Sequence, residues 1–380
     1  MSQETSRWLN EFILVGNCAN RPKAWHDNPE LRERLGLPSN HFEGPIPYKT
    51  VKERLFPWTP MSVPTANLVP CERKDANFFL PQDLSLGGED FKQGQPVKIV
   101  VVPDMQGVVR SDNHLELGHH SDEYRIHNYE RWLMQLQANV IGDTLTILGA
   151  GLLRNGAQAF VQVALPETSH DETTGAEFWP YIMGSTSLDG SIPTTFSGQT
   201  LYVVCDNTRN AALHQAESSG RIYKARHTSK SLDYNRIKDV RQALRIIHQT
   251  NDAMMDELHE LASIPVTTQQ WVKVMNEIFP MPDAKDPETT KRKMSIAENK
   301  REVLNHTYHR DPMSAQWRGT ALGVVQALNT YETHYRTVKG NRVERNLDKA
   351  IRGQFGEVDQ KSVIALAKVL DRPELVAAKS

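Results

Sequence analysis

The sequence is poor in cysteine, has no long apolar run and carries no lopsided charge, and each shortage removes a class of protein. Its three cysteines, Cys18, Cys71 and Cys205, form an odd, widely spaced set without a CxxC pair. That pattern argues against a disulfide scaffold and against a zinc ribbon, and it fits a reducing compartment. No stretch approaches the roughly 20 apolar residues that cross a bilayer. The apolar residues from Trp8 to Val15 are interrupted by Asn10 and Glu11, and no small-residue cleavage pattern follows them. The expectation is a cytoplasmic protein without a membrane partner. A formal net charge of -2 gives no global signal of a polyanion partner, so nucleic-acid binding has to be argued from local patches.

Catalytic signatures are also missing. The sequence contains no GxxxxGK[ST] phosphate loop, no HExxH and no GxSxG. Gly149-Ala150-Gly151 opens like a dinucleotide fingerprint, but Arg154 stands at the third glycine position and β-like residues follow. A hairpin or bulge is the better reading of those glycines. No cofactor is expected, and a non-enzymatic role is favoured.

What is present divides into three zones. With 380 residues, 39% of them hydrophobic, the chain can bury a sizeable core and is expected to hold two units. Residues 1–95 read as a proline-rich extension. Pro57, Pro60, Pro64 and Pro70 exclude a long helix or a central strand, which leaves an extended strap anchored by Phe56 and Trp58. Residues 96–232 read as an α+β core with an antiparallel sheet. PVKIVVV and LELGHHS flank the turn cluster Ser111-Asp112-Asn113 and predict a hairpin. Asn128 predicts the cap of a helix with Tyr129, Trp132, Leu133 and Leu136 on one face. DTLTILGAGLL, AQAFVQVALP, TLYVVCDN and FWPYIMGSTS are strand candidates, and NAALHQA predicts a second helix after Asn207-Thr208. Residues 233–380 read as helical: apolar residues at helical spacing run from Ile237 to Leu261, and three further amphipathic segments follow a Pro- and Asp-rich loop.

Local charge is the chemical feature that stands out. Arg221, Lys224, Arg226, Lys230, Arg236, Lys238, Arg241 and Arg245 lie close together, opposed only by Asp233 and Asp239, with Tyr223, His227 and Tyr234 interleaved. Guanidinium groups fork onto phosphate oxygens, and planar rings stack on unpaired bases for about 1–3 kcal/mol each. A single-strand track and a solvated helix face weigh evenly for this run. A second basic cluster from His334 to Arg352, including Arg336, Lys339, Arg342, Arg345 and Lys349, reads as a solvated or mobile segment around Gly340. His119, His120, His127 and His227 match no standard metal spacing and read as surface histidines, with His119 and His120 on opposite faces of a strand. Asp189 in SLDGS and Asp206 in CDNT are weak candidates for a divalent cation such as magnesium. Asp-Gly is itself a tight-turn signal, so turn formation is favoured.

The segments VVRSDNHLELGHHSDEYRIHNYE, GAGLLRNGAQAFVQVALPE, YIMGSTSLDGS, LYVVCDNTRNAAL and KARHTSKS resemble, in order and spacing, the phage and plasmid-like family known as domain of unknown function 932. GTALGVVQALNTYETHY is similar to that family's closing motif and TVKERLFPWTP to a degraded form of its opening one. The resemblance covers about 110 to 340. SLDGS departs from it, because a His commonly precedes the Asp-Gly. The resemblance implies a mobile-element protein in the cytoplasm of a bacterial host, and it supplies no reaction. The inferred order of hairpin, helix, strands and helix is similar to the core of single-strand annealing proteins of the Rad-fifty-two-like group, which form rings or filaments. That similarity is one of fold analogy alone. The leading expectation is therefore a recombination or replication accessory protein that binds single-stranded DNA as a homo-oligomer. A metal-dependent nuclease using Asp189, Asp206 and His227 is the alternative, as is a structural or host-interaction protein of the virus.

Overall fold

The computed structural model describes residues 3–18, 29–80, 94–135, 137, 146–164, 169–171, 176–202, 208–209, 222–228, 256–283, 285–286, 289–352 and 354–377. Its strands are β1 (Ile13–Val15), β2 (Pro60–Pro70), β3 (Phe78–Phe79), β4 (Pro96–Arg110), β5 (Glu116–Ser121), β6 (Ile147–Leu153), β7 (Gln158–Ala164), β8 (Ser169–Asp171), β9 (Ala176–Ser187), β10 (Thr194–Tyr202), β11 (Thr208–Arg209) and β12 (Ile222–Ala225). Eight of them form one antiparallel sheet in the order β1-β6-β7-β9-β10-β11, with β12 also on β10 and β8 also on β9. The other four form a ribbon in which the long strand β4 pairs with β2, β3 and β5. The α+β class and the antiparallel sheet thus agree with the sequence reading.

Period-two alternation explains why the large sheet is covered on both faces. On one face Leu14, Ala150, Leu152, Ala159, Val161 and Val163 pack with Val51 and Leu55 of helix Tyr48–Leu55 and with Tyr129, Leu133 and Met134. On the other, Ile13, Val15, Phe160, Tyr181 and Met183 pack with Leu9 of helix Gln3–Phe12 and with Val343 and Ile351 of helix Arg342–Arg352. The predicted hairpin forms: Val109 of β4 stands opposite Glu116 of β5 across the turn at 111–113. Asn128 caps the following helix, its Oδ1 accepting from Arg131 N at 3.1 Å. That helix is π-wound over Glu130–Gln135, and Leu136 lies outside the described residues.

The proline-rich zone is built into both sheets. β1 pairs with β6, and β2 runs beside β4 from Pro60↔Arg110 to Pro70↔Val97. Because β2 is an edge strand, its prolines cost no ladder bonds. Phe56 and Trp58 anchor its start: both are buried, and their rings lie 5.6 and 5.8 Å from Tyr129. The boundary expected at residue 95 therefore falls inside a hydrogen-bonded ribbon.

A second hydrophobic core, with no side chain in common with the sheet cores, lies in the C-terminal helices. It gathers a helix over 256–263, Thr268–Ile278, Lys291–His309, Ala321–Thr330, Phe355–Leu370 and Glu374–Ala377. Thr267 and Gln270 form a reciprocal capping box at the second of these, which accounts for its sharp start. Every residue of Ala321–Thr330 is buried, so it forms the centre of this bundle. The helix expected from Ile237 to Leu261 lies outside the described residues except for its last turns, and the expected NAALHQA helix lies outside them altogether. Among the described residues no helix is long and apolar enough to cross a membrane.

Candidate functional site at a column of stacked rings

Five rings stack in one column where the ribbon meets the large sheet. His120 at the end of β5 lies 3.7 Å from Tyr124, and Tyr124 lies 4.7 Å from His227, which follows β12. His227 lies 4.0 Å from His127, and His127 lies 3.8 Å from Trp132 on the π-wound helix. All four pairs are near-parallel, with interplanar angles from 5° to 23°. Chain segments about 100 residues apart are locked together by this column.

Hydrogen bonds fix the tautomers. His227 Nδ1–H donates to Arg125 O at 3.0 Å, which leaves Nε2 to accept from Thr186 Oγ1 at 3.3 Å. Thr186 Oγ1 in turn accepts from Thr194 Oγ1 at 2.7 Å, and Thr194 Oγ1 accepts from His127 Nδ1–H at 2.6 Å. Only a neutral His227, with its Nε2 unprotonated, closes this chain in one direction from His127 to Arg125. Burial pushes His127 down to about 3, with His227 adding a smaller push. Burial likewise pushes His227 down to about 4, against the hydrogen bond to Arg125 O. Tyr124 donates to Ser187 O at 3.0 Å, and burial raises its phenol well above the ordinary range. His120 Nε2–H donates to Leu188 O at 2.6 Å.

The column presents two arginines to solvent. Arg125 N donates to His227 O at 3.0 Å while His227 Nδ1 binds Arg125 O, so residue 125 and the 226–227 segment are held side by side. Arg125 and Arg226 are both exposed. Lys224 sits on β12, which pairs with β10 at Thr195. Arg221, Lys230, Arg236, Lys238 and Arg241 lie outside the described residues, as does Asp206. His227 is corrected: expected as an exposed ring beside the basic run, it is buried between Tyr124 and His127 and offers no face to a base. His127 is also buried, whereas His119 stays at the surface, 2.8 Å from Glu116. His119 and His120 do point to opposite faces, as pleating requires.

Asp189 lies beside the column but is occupied. Its Oδ1 accepts from Ser191 N at 2.8 Å and from Ser191 Oγ, and its Oδ2 faces Arg154 Nη1 at 3.4 Å. Burial alone would raise this carboxyl, but the Ser191 hydrogen bonds and the Arg154 charge outweigh it and hold Asp189 below its usual range. Arg154 also approaches Asp348 at 3.6 Å, and its backbone N–H donates to Glu344 at 3.3 Å. Arg154 of the RNG segment therefore links the SLDGS loop to helix Arg342–Arg352. Among the described residues no group of three or more His, Cys, Asp or Glu is placed to hold a metal ion.

Tyr124, Arg125, Thr186 and Thr194 escape the sequence reading. The tetrapeptide Tyr124-Arg125-Ile126-His127 lies outside any strand, and its residues do not alternate: Arg125 is exposed while Tyr124 and His127 share the column. No periodicity rule pairs that tetrapeptide with a histidine 100 residues later.

The family model described as domain of unknown function (DUF932) matches residues 116–352, well over half of the 380 in the chain. The match opens on β5 and closes with the helix that carries Glu344 and Asp348, so it spans the ring column and the Asp189 loop. No curated protein and no solved structure matches the chain.

Proposed function

The chain belongs to the DUF932 family, and from that premise we propose that it is a mobile-element accessory protein that binds single-stranded DNA as a homo-oligomer. The observation that supports this reading is the exposed pair Arg125 and Arg226, fastened to a rigid ring column at the head of a basic run. Rigid presentation matters because a backbone already held in place needs no further ordering when its guanidinium forks onto a phosphate. The strand's backbone is neutralised along the run while its bases remain free to meet a complement. Annealing of that kind needs no catalytic side chain. A bacterial cytoplasm is the compartment in which such a protein works.

Fluorescence anisotropy with a labelled single-stranded oligonucleotide at low salt tests the reading. About five neutralised phosphates give a slope of about -3.5 in log K against log salt, so binding weakens on the order of 100-fold between 50 and 200 mM. Absence of binding at low salt ends the proposal and leaves a host-interaction role. Magnesium-dependent cleavage of the oligonucleotide, abolished in Asp189→Ala, replaces it with the nuclease. Negative-stain images with and without DNA test the ring or filament.

A further inference from the structure

Cations from three elements come together near the Glu332 carboxylate, where the turn Tyr331–Tyr335 meets helix Arg342–Arg352. Glu332, whose side chain is 10% exposed, accepts from Arg336 Nη1 at 2.7 Å and is approached by Lys349 Nζ at 3.5 Å. Lys300, from helix Lys291–His309, lies 3.3 Å over the Phe279 ring and 5.6 Å from that of Tyr331. It is close enough to feel both Glu332 and Arg336. Arg342, Arg345 and Lys349 follow at helical spacing of three and four residues, so they share one face. Arg342 Nη1 reaches Thr333 O at 3.4 Å, and Asn346 Nδ2 donates to the same carbonyl at 2.9 Å, which ties this face to the turn.

The acids of the same helix do not neutralise the group. Glu344 accepts from Arg154 N, and Asp348 is shared between Arg352 at 3.0 Å and Arg154 at 3.6 Å. Among the described residues Arg345 has no carboxylate partner. Burial lowers the Lys349 ammonium, Glu332 pulls it back up, and Arg345 and Arg336 lower it further. Like charges gathered this closely repel each other, and an anion relieves that repulsion. The forks of Arg336 and Arg345 and the compact charge of Lys349 match the several oxygens and double charge of a phosphate better than a carboxylate.

We infer that Lys300, Arg336, Arg345 and Lys349 form a binding site for a phosphate group, supplied either by a nucleic-acid backbone or by a free phosphate compound. The site is separate from the Arg125–Arg226 face and does not depend on it. Pyrophosphate is the direct probe on the full chain, read by thermal shift and by calorimetry. The wild type is expected to gain several degrees at saturating pyrophosphate, and Arg345→Gln to weaken the apparent Kd by about tenfold. Arg345→Gln breaks no ion pair among the described residues, and an unchanged far-UV spectrum and unliganded Tm show that it folds. The variant Arg125→Ala/Arg226→Ala is expected to bind pyrophosphate as the wild type does. No shift in the wild type, or an equal shift in Arg345→Gln, overturns the site. If Arg345→Gln also weakens the labelled oligonucleotide, the phosphate comes from the backbone of the strand. If oligonucleotide binding is unchanged in Arg345→Gln while pyrophosphate binding weakens, the ligand is a free phosphate compound. An oligonucleotide that fails to bind at all removes the single-strand reading and leaves this site intact.

Discussion

Acidification from pH 7.5 to 5.0 should destabilise the fold through two imidazoles that the native state keeps neutral. His127 and His227 are held at about 3 and about 4, both chiefly by burial. An unfolded histidine titrates near 6.5, so below that pH the unfolded chain takes up protons that the folded chain refuses. The stabilisation is complete above about pH 6.5 and is lost as pH falls toward the folded values. Each imidazole contributes about 1.4 kcal/mol per pH unit in that window, hence about 2 kcal/mol by pH 5.0 and about 4 for the pair. The remaining histidines and the carboxylates add a background, which a variant comparison removes. Urea denaturation of the wild type and of His127→Gln/His227→Gln at both pH values isolates the pair. The variant is expected to start less stable at pH 7.5 and to lose about 4 kcal/mol less on acidification. Equal losses in the two proteins would refute the buried, neutral assignment. Either single variant should recover about half of the difference, so the test survives poor folding of the double variant.

Other substitutions probe the packing around the column and the second core. At Gly118 a Cβ would lie 2.7 Å from Leu188 O and 2.8 Å from Asp189 Cα, so Gly118→Ala should cost about 1–3 kcal/mol in thermal denaturation. An unaltered Tm would show that the ribbon does not seat on the Asp189 loop. Trp271 is fully buried, stacks on Tyr308 at 4.4 Å and donates to Asn305 Oδ1 at 2.9 Å. Trp271→Phe should therefore lower stability by about 1–3 kcal/mol in urea, and a neutral effect would contradict its place at the centre of the helical core.

Strand positions and the hairpin are legible in the sequence because β-branched runs and a turn cluster are local signals, and Asn128 announces its cap for the same reason. The prolines of β2 exclude a central strand and leave an extended strap, but they do not name its partner, since pairing with β4 from Pro70↔Val97 to Pro60↔Arg110 leaves no mark in the spacing of either strand. The ring column is illegible for a different reason. Stacking is set by where sheets and ribbon cross, and His227 reads like any polar residue in a basic run until its neighbours are known. The cluster from Arg336 to Arg352 reads as solvated because charge along the chain does not say which face carries it. Once Arg342–Arg352 is a helix, Lys349 reaches Glu332 beside Arg336, while Asp348 is taken up by Arg352 and Arg154.

A salt series of oligonucleotide binding, run on the wild type and on Arg125→Ala/Arg226→Ala, tests the central proposal most directly. If both arginines neutralise phosphates, the slope of log K against log salt should become shallower by about 1.4 in the variant, about 0.7 for each phosphate left without its arginine. Binding should weaken while the unliganded Tm stays close to that of the wild type, because both side chains are exposed. Unchanged slope and affinity in a folded variant would contradict the account, leaving the ring column as a structural weld with no part in holding DNA.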